Sequence, residues 1–213
     1  MKLFICLLFL FVMVSCKQST KIPENFDYGK IENGVYSNSY FNFEFPVPDK
    51  WVVQSKEQVE QIKKAGQDLI TEKNKEIGSL VKTSDVRTAI LLTAFKNRTD
   101  TFMGQFNSSF MILSENLGSI SGIKTGKDYL LHAKGLMQQS GMAYKFPSGI
   151  YSEKVGNREF DVMDVVMTVK EMEVQQSYYS VIDKKFALNI IISFIGDEQK
   201  KELINIINNI RFK

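Results

Sequence analysis

The chain has 213 residues, with 27 lysines and arginines against 24 aspartates and glutamates, one histidine and two cysteines. A hydrophobic fraction of 44% and a charged fraction of 24% are typical of a globular protein and exclude a wholly disordered, collagenous or coiled-coil chain. The net charge of +3 comes from interspersed residues, which argues against a nucleic-acid partner, and the single histidine leaves little material for a zinc site.

The chain begins with a candidate signal peptide. Lys2 is followed by an unbroken apolar run from Leu3 to Val14. As a helix this run would reach about 18 Å, which is too short to cross a hydrocarbon core of roughly 30 Å but suits the apolar part of a secretory signal. We therefore expect residues 1–15 to be removed.

The end of the apolar run reads Met13-Val14-Ser15-Cys16 and resembles the lipobox of bacterial lipoproteins. In that family the cysteine thiol takes a diacylglycerol, the bond before it is cut, and the cysteine becomes the first residue. A thiolate is the nucleophile that such a thioether needs, and the residue before it must be small. The resemblance implies cleavage between Ser15 and Cys16 and lipid attachment at Cys16. The alternative, an ordinary signal peptide with an incidental cysteine, lacks a small-x-small pair because Met13 stands two residues before Ser15.

Lipid attachment at Cys16 makes the membrane the first expected partner and places the protein in the bacterial cell envelope. Each buried CH₂ of an acyl chain contributes about 0.8 kcal/mol, so several chains would hold the protein firmly. Lys17, Gln18 and Ser19 include no acidic run of the kind that resembles a surface-export signal, which favours the periplasmic face of the outer membrane. Cys6 leaves with the signal peptide, so the mature chain has no cysteine for a disulfide.

A tether is expected between the lipid and a single domain. Residues 16–33 are polar, contain Pro23 and Gly29 and show little periodicity, so they predict a flexible segment that holds the domain roughly 20–25 Å from the lipid. No second linker follows, which predicts one domain over residues 34–213.

The first half of this domain alternates short strands and helices. A hairpin is predicted over residues 35–45, where Phe41, Phe43 and Phe45 alternate with polar residues, and a short strand starts at Trp51. Ser55 and Gln58 form a capping box for a helix. Its predicted inward stripe is formed by Val59, Ile62, Leu69 and Ile70.

The second half predicts a larger sheet. Residues 88–95 form an apolar run typical of a central strand covered on both faces, with a partner strand at residues 111–113. Thr125 and Asp128 cap a second helix, and residues 160–169, 174–182 and 186–195 predict an antiparallel meander. Asp197 is expected to cap the last helix, with Arg211 and Lys213 near its C-terminal dipole. The fold class is therefore α+β, a central antiparallel sheet flanked by helices as in an α/β/α sandwich.

The opening GVYSNSYFNFEFPVPDKWVV, with its aromatic strand, proline turn and Trp51, resembles the start of PsbP-like or Mog-type domains. That resemblance implies a central antiparallel sheet between helices, and the meander and closing helix agree with it. It also implies a non-catalytic accessory or partner-binding protein. It assigns no ligand-binding residue.

No set of residues assigns a catalytic site, a metal site or a cofactor. His132 lies at the border of the apolar stripe of the second helix, where a packing role is expected, and no nucleophile motif accompanies it. Residues 122–127 superficially match a phosphate loop but lack its first glycine and its hydroxyl after the lysine. Asp161 and Asp164 are three apart on a strand, so they should face opposite sides.

Three functions stay open at this point. The first is a membrane-tethered, non-catalytic lipoprotein that binds or assists an envelope protein. The second is an envelope hydrolase with carboxylates or hydroxyls from different strands, which a pocket gathering several acids, tyrosines and His132 would favour. The third is a carrier of a small apolar ligand, which would show an unfilled cavity lined by Phe and Met.

Overall fold

The computed structural model describes residues 21–98, 106–118, 120–169 and 171–213. The predicted signal peptide, the lipobox with Ser15 and Cys16, and residues 17–20 of the predicted tether lie outside these ranges. No helix within the ranges is both long enough and apolar enough to cross a bilayer.

Twelve strands and four α-helices make up the described fold. The strands are β1 (Lys30–Glu32), β2 (Val35–Asn38), β3 (Phe43–Pro46), β4 (Val52–Val53), β5 (Thr88–Phe95), β6 (Ser109–Asn116), β7 (Tyr144–Lys145), β8 (Tyr151–Val155), β9 (Arg158–Val169), β10 (Met172–Asp183), β11 (Phe186–Phe194) and β12 (Arg211–Phe212). The helices are α1 (Lys56–Lys73), α2 (Lys75–Ser84), α3 (Gly126–Gln139) and α4 (Gly196–Ile207), and a 3-10 turn covers Asp85–Arg87.

The strands form two antiparallel sheets. The larger has the order β4-β5-β6-β11-β10-β9-β7, with β8 also paired to β9, and the smaller has the order β1-β2-β3-β12. The predicted meander is confirmed as β9, β10 and β11, which pair in sequence order over most of their length. It forms the centre of the large sheet.

The main core lies between one face of the large sheet and the layer formed by α4 and the small sheet. Its buried residues include Phe43 and Phe45 of the small sheet, Ile190 and Ile192 of β11, and Leu203 of α4. Trp51 is 8% exposed, with its ring centroid 5.4 Å from that of Phe110, so it belongs to this core, directly before β4.

Helix α3 covers the other face of the large sheet, where Leu130 packs with Met163 and Val165 in a second, smaller cluster. Even-numbered residues of β9 therefore face α4 and odd-numbered ones face α3, as strand geometry requires. The predicted α+β class, with a central antiparallel sheet flanked by helices, is confirmed. The small sheet, which shares a layer with α4, was not predicted.

Residues 21–33, expected as part of a flexible tether, are packed against the domain. Phe26 is 7% exposed within the main core, and β1 pairs along its length with β2. The Ile22 N–H donates to the Val86 carbonyl, and the Asn116 side chain donates to the Lys21 carbonyl. The ordered domain therefore begins well before residue 34, and its first described residues are fixed beside the start of β5.

Helix α1 begins where the capping box predicted, but its apolar stripe is not buried. The Ser55 hydroxyl accepts from the Gln58 N–H, and the Gln58 side chain accepts from the Ser55 N–H. No residue of α1 is buried, and Leu69 is 49% exposed. The helix ends at Asn74, which caps both α1 and α2, because its side chain accepts from the first turn of α2.

Two expectations about the C-terminal end are wrong. Helix α4 is preceded by Ile195, and no side chain caps it; instead the Gln199 side chain accepts from the Ile195 N–H. Asp197 lies within the first turn of the helix. Arg211 does not extend the helix, because Arg211–Phe212 form β12 and pair with β3. The conformation of the last residues is decided by pairing with a strand that is far away in sequence, and local periodicity cannot reveal such pairing.

Candidate functional site: a cleft at the open edge of β5

Strand β5 is paired along only part of its outer side. It pairs with β6 over its whole length on the inner side, whereas β4 contacts only Ala94 and Phe95 on the outer side. Beyond β4, the Gln54 N–H donates to the Thr93 carbonyl, after which the chain turns into α1. The outer side of Thr88–Leu92 has no strand neighbour within the described ranges. The apolar run was predicted as a central strand, but it lies next to the edge of the sheet.

Two hydrogen bonds near the C-terminal end of β5 show which backbone groups face outward. Lys96 N–H donates to Ser108 across the β6 side, whereas the Thr93 carbonyl accepts from the β4 side. Antiparallel residues alternate in direction, and a bulge between Ile90 and Leu92 shifts the register by one residue. When the alternation is followed from Thr93 back through this bulge, the N–H and C=O of Ala89 face β6, and those of Ile90 face outward.

A cleft of about 720 Å³ lies along this open edge. That volume is within the range of roughly 300–1,000 Å³ found for binding sites of small ligands. Its main walls are β5, the start of α1 and the segment of residues 28–31 that runs into β1, and Gln54 with single residues of β2, β4 and the 3-10 turn completes the lining. The lining residues are Tyr28, Gly29, Lys30, Ile31, Tyr36, Val53, Gln54, Lys56, Val59, Glu60, Lys63, Asp85, Thr88, Ile90, Leu91, Leu92 and Thr93.

Two buried side-chain oxygens in the wall of the cleft have no hydrogen-bond partner. Gln54 is 8% exposed and Thr93 is 3% exposed. The Gln54 amide nitrogen donates to the Val52 carbonyl at 2.8 Å, but its Oε1 accepts nothing, and the Thr93 Oγ1 is likewise unpaired. An unsatisfied buried polar atom costs about 1–3 kcal/mol, so both residues leave hydrogen-bonding capacity unused next to the cleft.

The wall opposite α1 is held by a clasp around Asp27. Its carboxylate accepts from the Gly29 N–H at 2.7 Å and from the Ser39 N–H and hydroxyl at 2.6 and 2.7 Å. These hydrogen bonds, the Ser39 hydroxyl first, lower the pKa of Asp27 below its ordinary value. The contribution of the clasp to stability is therefore complete at neutral pH, and it is lost as the pH falls from the ordinary pKa of an aspartate through the lowered pKa of Asp27.

Gly29 is required where the clasp meets Tyr36. Its φ is +77°, and an added Cβ would lie 2.3 Å from the ring of Tyr36. The Tyr36 hydroxyl, in turn, donates to the Tyr28 carbonyl at 2.8 Å, while the ring is only 2% exposed. Burial raises the pKa of Tyr36, so the hydroxyl stays a donor throughout the physiological range. The segment that leads into β1 is therefore rigidly positioned across from β5.

The mouth of the cleft carries apolar and basic side chains. Tyr28 and Ile31 are 45% and 42% exposed, which is unusual for large apolar residues. Lys63 is neutralised by Glu60 at 2.6 Å and by Asp85 at 3.8 Å. Lys30 is exposed and pairs with Glu32, and Lys56 is exposed at the start of α1. An exposed tyrosine beside an apolar centre is typical of interaction surfaces.

Asp161, Asp164 and His132, which the sequence offered as candidates for a catalytic site, lie outside the cleft. Asp164 accepts from the Ser177 hydroxyl at 2.6 Å and from Tyr151 at 3.1 Å, with Lys200 at 3.8 Å. Asp161 lies on the opposite face, where it accepts from the Lys127 N–H at the start of α3. The prediction that the two carboxylates face opposite sides is therefore confirmed.

The first turn of α3 is already occupied by carboxylates. Asp161 accepts one N–H there, and Asp128 accepts from the Lys124 and Thr125 N–H groups. These negative charges oppose a phosphate at residues 122–127. His132 is exposed on α3, away from Asp164 on the α4 side of the sheet. Among the described residues, no group of three acids, histidines or cysteines is placed to hold a metal ion.

The fold is similar to that of a solved cyanobacterial protein. The solution structure of cyanobacterial PsbP (CyanoP) from Synechocystis sp. PCC 6803 matches with a TM-score of 0.50 and 9% sequence identity, over 87% of this chain and 96% of that chain. No family model and no curated protein sequence matches the chain.

This likeness confirms the PsbP-like fold that the opening residues and the meander predicted. At 9% identity it concerns the fold alone and transfers no binding residue. The Mog-type half of the resemblance stays a prediction. Sequence reasoning missed the cleft itself. Strand β1 falls within the predicted tether, and the place of β5 beside the edge of the sheet depends on pairing between segments that are distant in sequence.

Replacing Thr93 by valine should raise the free energy of unfolding by about 1 kcal/mol, because it removes an unpaired buried hydroxyl while keeping the side-chain shape. Thr88→Val is the matched control on the same strand. The Thr88 hydroxyl donates to the Ser84 carbonyl at 3.0 Å, so its loss should lower stability by about 1 kcal/mol. Urea unfolding of both variants measures the difference. A Thr93→Val variant destabilised as much as Thr88→Val would show that the Thr93 hydroxyl is satisfied.

Proposed function

We propose that this protein is a membrane-anchored envelope lipoprotein that acts as a non-catalytic accessory module and binds a partner protein through the cleft at β5. The cleft carries the binding half of the proposal, because it combines an open strand edge with unused polar groups and an exposed apolar mouth. The lipobox at Met13–Cys16 supports the anchoring half.

The start of the described domain relates the anchor to the cleft. Lys21 is five residues after Cys16, a separation that an extended chain spans in at most about 17 Å. Lys21 and Ile22 are fixed beside Val86, directly before β5. A lipid at Cys16 would therefore keep the start of the open edge close to the bilayer, nearer than the 20–25 Å expected for a tether of residues 16–33. The cleft would then meet partners that are themselves in or on the membrane.

The two other functions have weaker support. The cleft is lined by aliphatic residues such as Ile90 and Leu92, whereas the apolar-ligand carrier was expected to have a cavity lined by Phe and Met. A hydrolase was expected to gather acids and tyrosines with His132 in one pocket. The cluster around Asp164 borders a cavity of only about 100 Å³, and His132 is not part of it.

The anchoring half is tested by metabolic labelling with palmitate. Wild-type protein should incorporate the label and fractionate with membranes, and Cys16→Ala should lose both properties because it removes the acylated thiol. Cys6→Ala is the matched control, since it changes a cysteine of the segment expected to be removed and should leave labelling intact. Label that persists in Cys16→Ala would exclude Cys16 as the lipid-bearing residue.

The binding half is tested by site-specific photo-crosslinking in intact cells. A photoreactive phenylalanine analogue at Ile31, on the rim of the cleft, should give a discrete adduct with an envelope protein. The same analogue at Leu131, an exposed residue on α3, is the control and should give none. Equal adducts at both positions, or none at Ile31, would contradict binding through the cleft.

A further inference from the structure

We infer that the occupant of the cleft is an extended peptide segment of the partner, which adds a strand to the open edge of β5. This inference rests on the proposed function and specifies how its partner is recognised. The backbone itself supplies the first argument: Ile90 directs one donor and one acceptor outward between Thr88 and Thr93, in a position where a neighbouring strand would pair with them. Unpaired edges of this kind are templates for strand addition.

The dimensions of the cleft agree with a short strand. The open part of β5 covers Thr88–Leu92, and five residues of extended chain span about 17 Å. The 3-10 turn at Asp85–Arg87 limits this edge at one end, and the Gln54–Thr93 hydrogen bond limits it at the other. Because the open edge is limited at both ends, a segment that pairs with it must have a defined length and register.

The unpaired side-chain oxygens favour a peptide over a purely apolar ligand. Gln54 Oε1 is an acceptor without a donor, and the Thr93 hydroxyl has no partner. Both residues line the end of the cleft where β4 stops. A peptide supplies N–H and C=O groups at regular spacing, and its alternate side chains can contact the aliphatic residues Val53 and Val59. A hydrocarbon would leave both oxygens unsatisfied.

The charge at the mouth indicates the character of the segment. The acids that line the cleft, Glu60 and Asp85, share Lys63, and Lys30 pairs with Glu32, so Lys56 is the lysine of the lining that enters no ion pair among the described residues. A segment with apolar residues facing inward and an acidic residue near the mouth complements this arrangement. The inferred partner therefore presents an extended, alternating apolar and acidic stretch.

The first test uses random peptides of about twelve residues displayed on phage, which are long enough to span the open edge. The full-length protein purified from cells should enrich peptides with the alternating pattern. Val59→Trp should lose this enrichment because the ring fills the cleft, whereas Glu72→Trp, an exposed position on the same helix outside the cleft, should keep it. If the wild-type protein enriches alternating peptides no more than Val59→Trp does, strand addition is overturned.

A second test does not depend on the folding of any variant. An enriched peptide is synthesised in two versions. One carries N-methyl groups on the odd-numbered backbone amides and the other carries them on the even-numbered amides, and these are the two phases compared. Methylation of the amides that face β5 should weaken binding to the wild-type protein by about tenfold or more, and methylation of the opposite phase should have little effect. Equal effects of the two phases would overturn the inference, because side-chain recognition alone does not distinguish them.

The outcomes separate this inference from the proposed function. If the N-methyl phases are equivalent while the crosslink at Ile31 and palmitate labelling at Cys16 persist, the protein still binds a partner from the membrane but not by strand addition. If the crosslink at Ile31 is also absent, binding through the cleft fails as a whole.

Discussion

The reciprocal hydrogen bonds between Ser55 and Gln58 start α1 directly after Gln54, and this early start ends β4 after two residues. A longer β4 would cover the whole outer side of β5 and close the sheet. Because the chain leaves the sheet instead, an apolar strand is open over five residues. Natural proteins usually protect such edges with charges, prolines or covering segments. Here α1 and the segment before β1 stand beside the edge and form a cleft around it.

The clasp at Asp27 gives the cleft its second fixed wall. Three hydrogen bonds to one carboxylate, the left-handed conformation of Gly29 and the buried hydroxyl of Tyr36 all hold the chain that leads into β1. That chain is also the one that would carry the lipid anchor a few residues earlier. In the proposed lipoprotein, the same few residues would join the anchor, the wall of the cleft and the small sheet, and the proposed orientation of the cleft toward the membrane would follow from this local structure.

Features that depend on neighbouring residues could be predicted from the sequence. The capping boxes at Ser55 and Thr125 are local motifs, and both are present. Strand β5 and the meander have strong apolar patterns, and their positions were correct to within a few residues. The opposite orientations of Asp161 and Asp164 follow from the alternation of a strand alone.

Features that depend on distant pairing could not be predicted. The strand Arg211–Phe212 exists because it pairs with β3 near the start of the domain, and no pattern among the neighbouring residues indicates that pairing. The apolar stripe of α1 suggested burial, yet Leu69 is half exposed and no residue of α1 is buried. An apolar run such as β5 indicates a buried strand but not its place in the order of the sheet. The cleft results from the order of the strands in the sheet, so it could not be predicted from hydrophobic periodicity.

The direct test of the open edge is amide hydrogen exchange of the full-length protein along β5. The Ile90 amide, which points away from β6, should exchange about a hundredfold faster than the amides of Ala89 and Ala94, which pair with β6. Equal protection of all three amides in the absence of any added peptide would mean that the edge is already covered, and the account of the cleft as a free binding site would be contradicted.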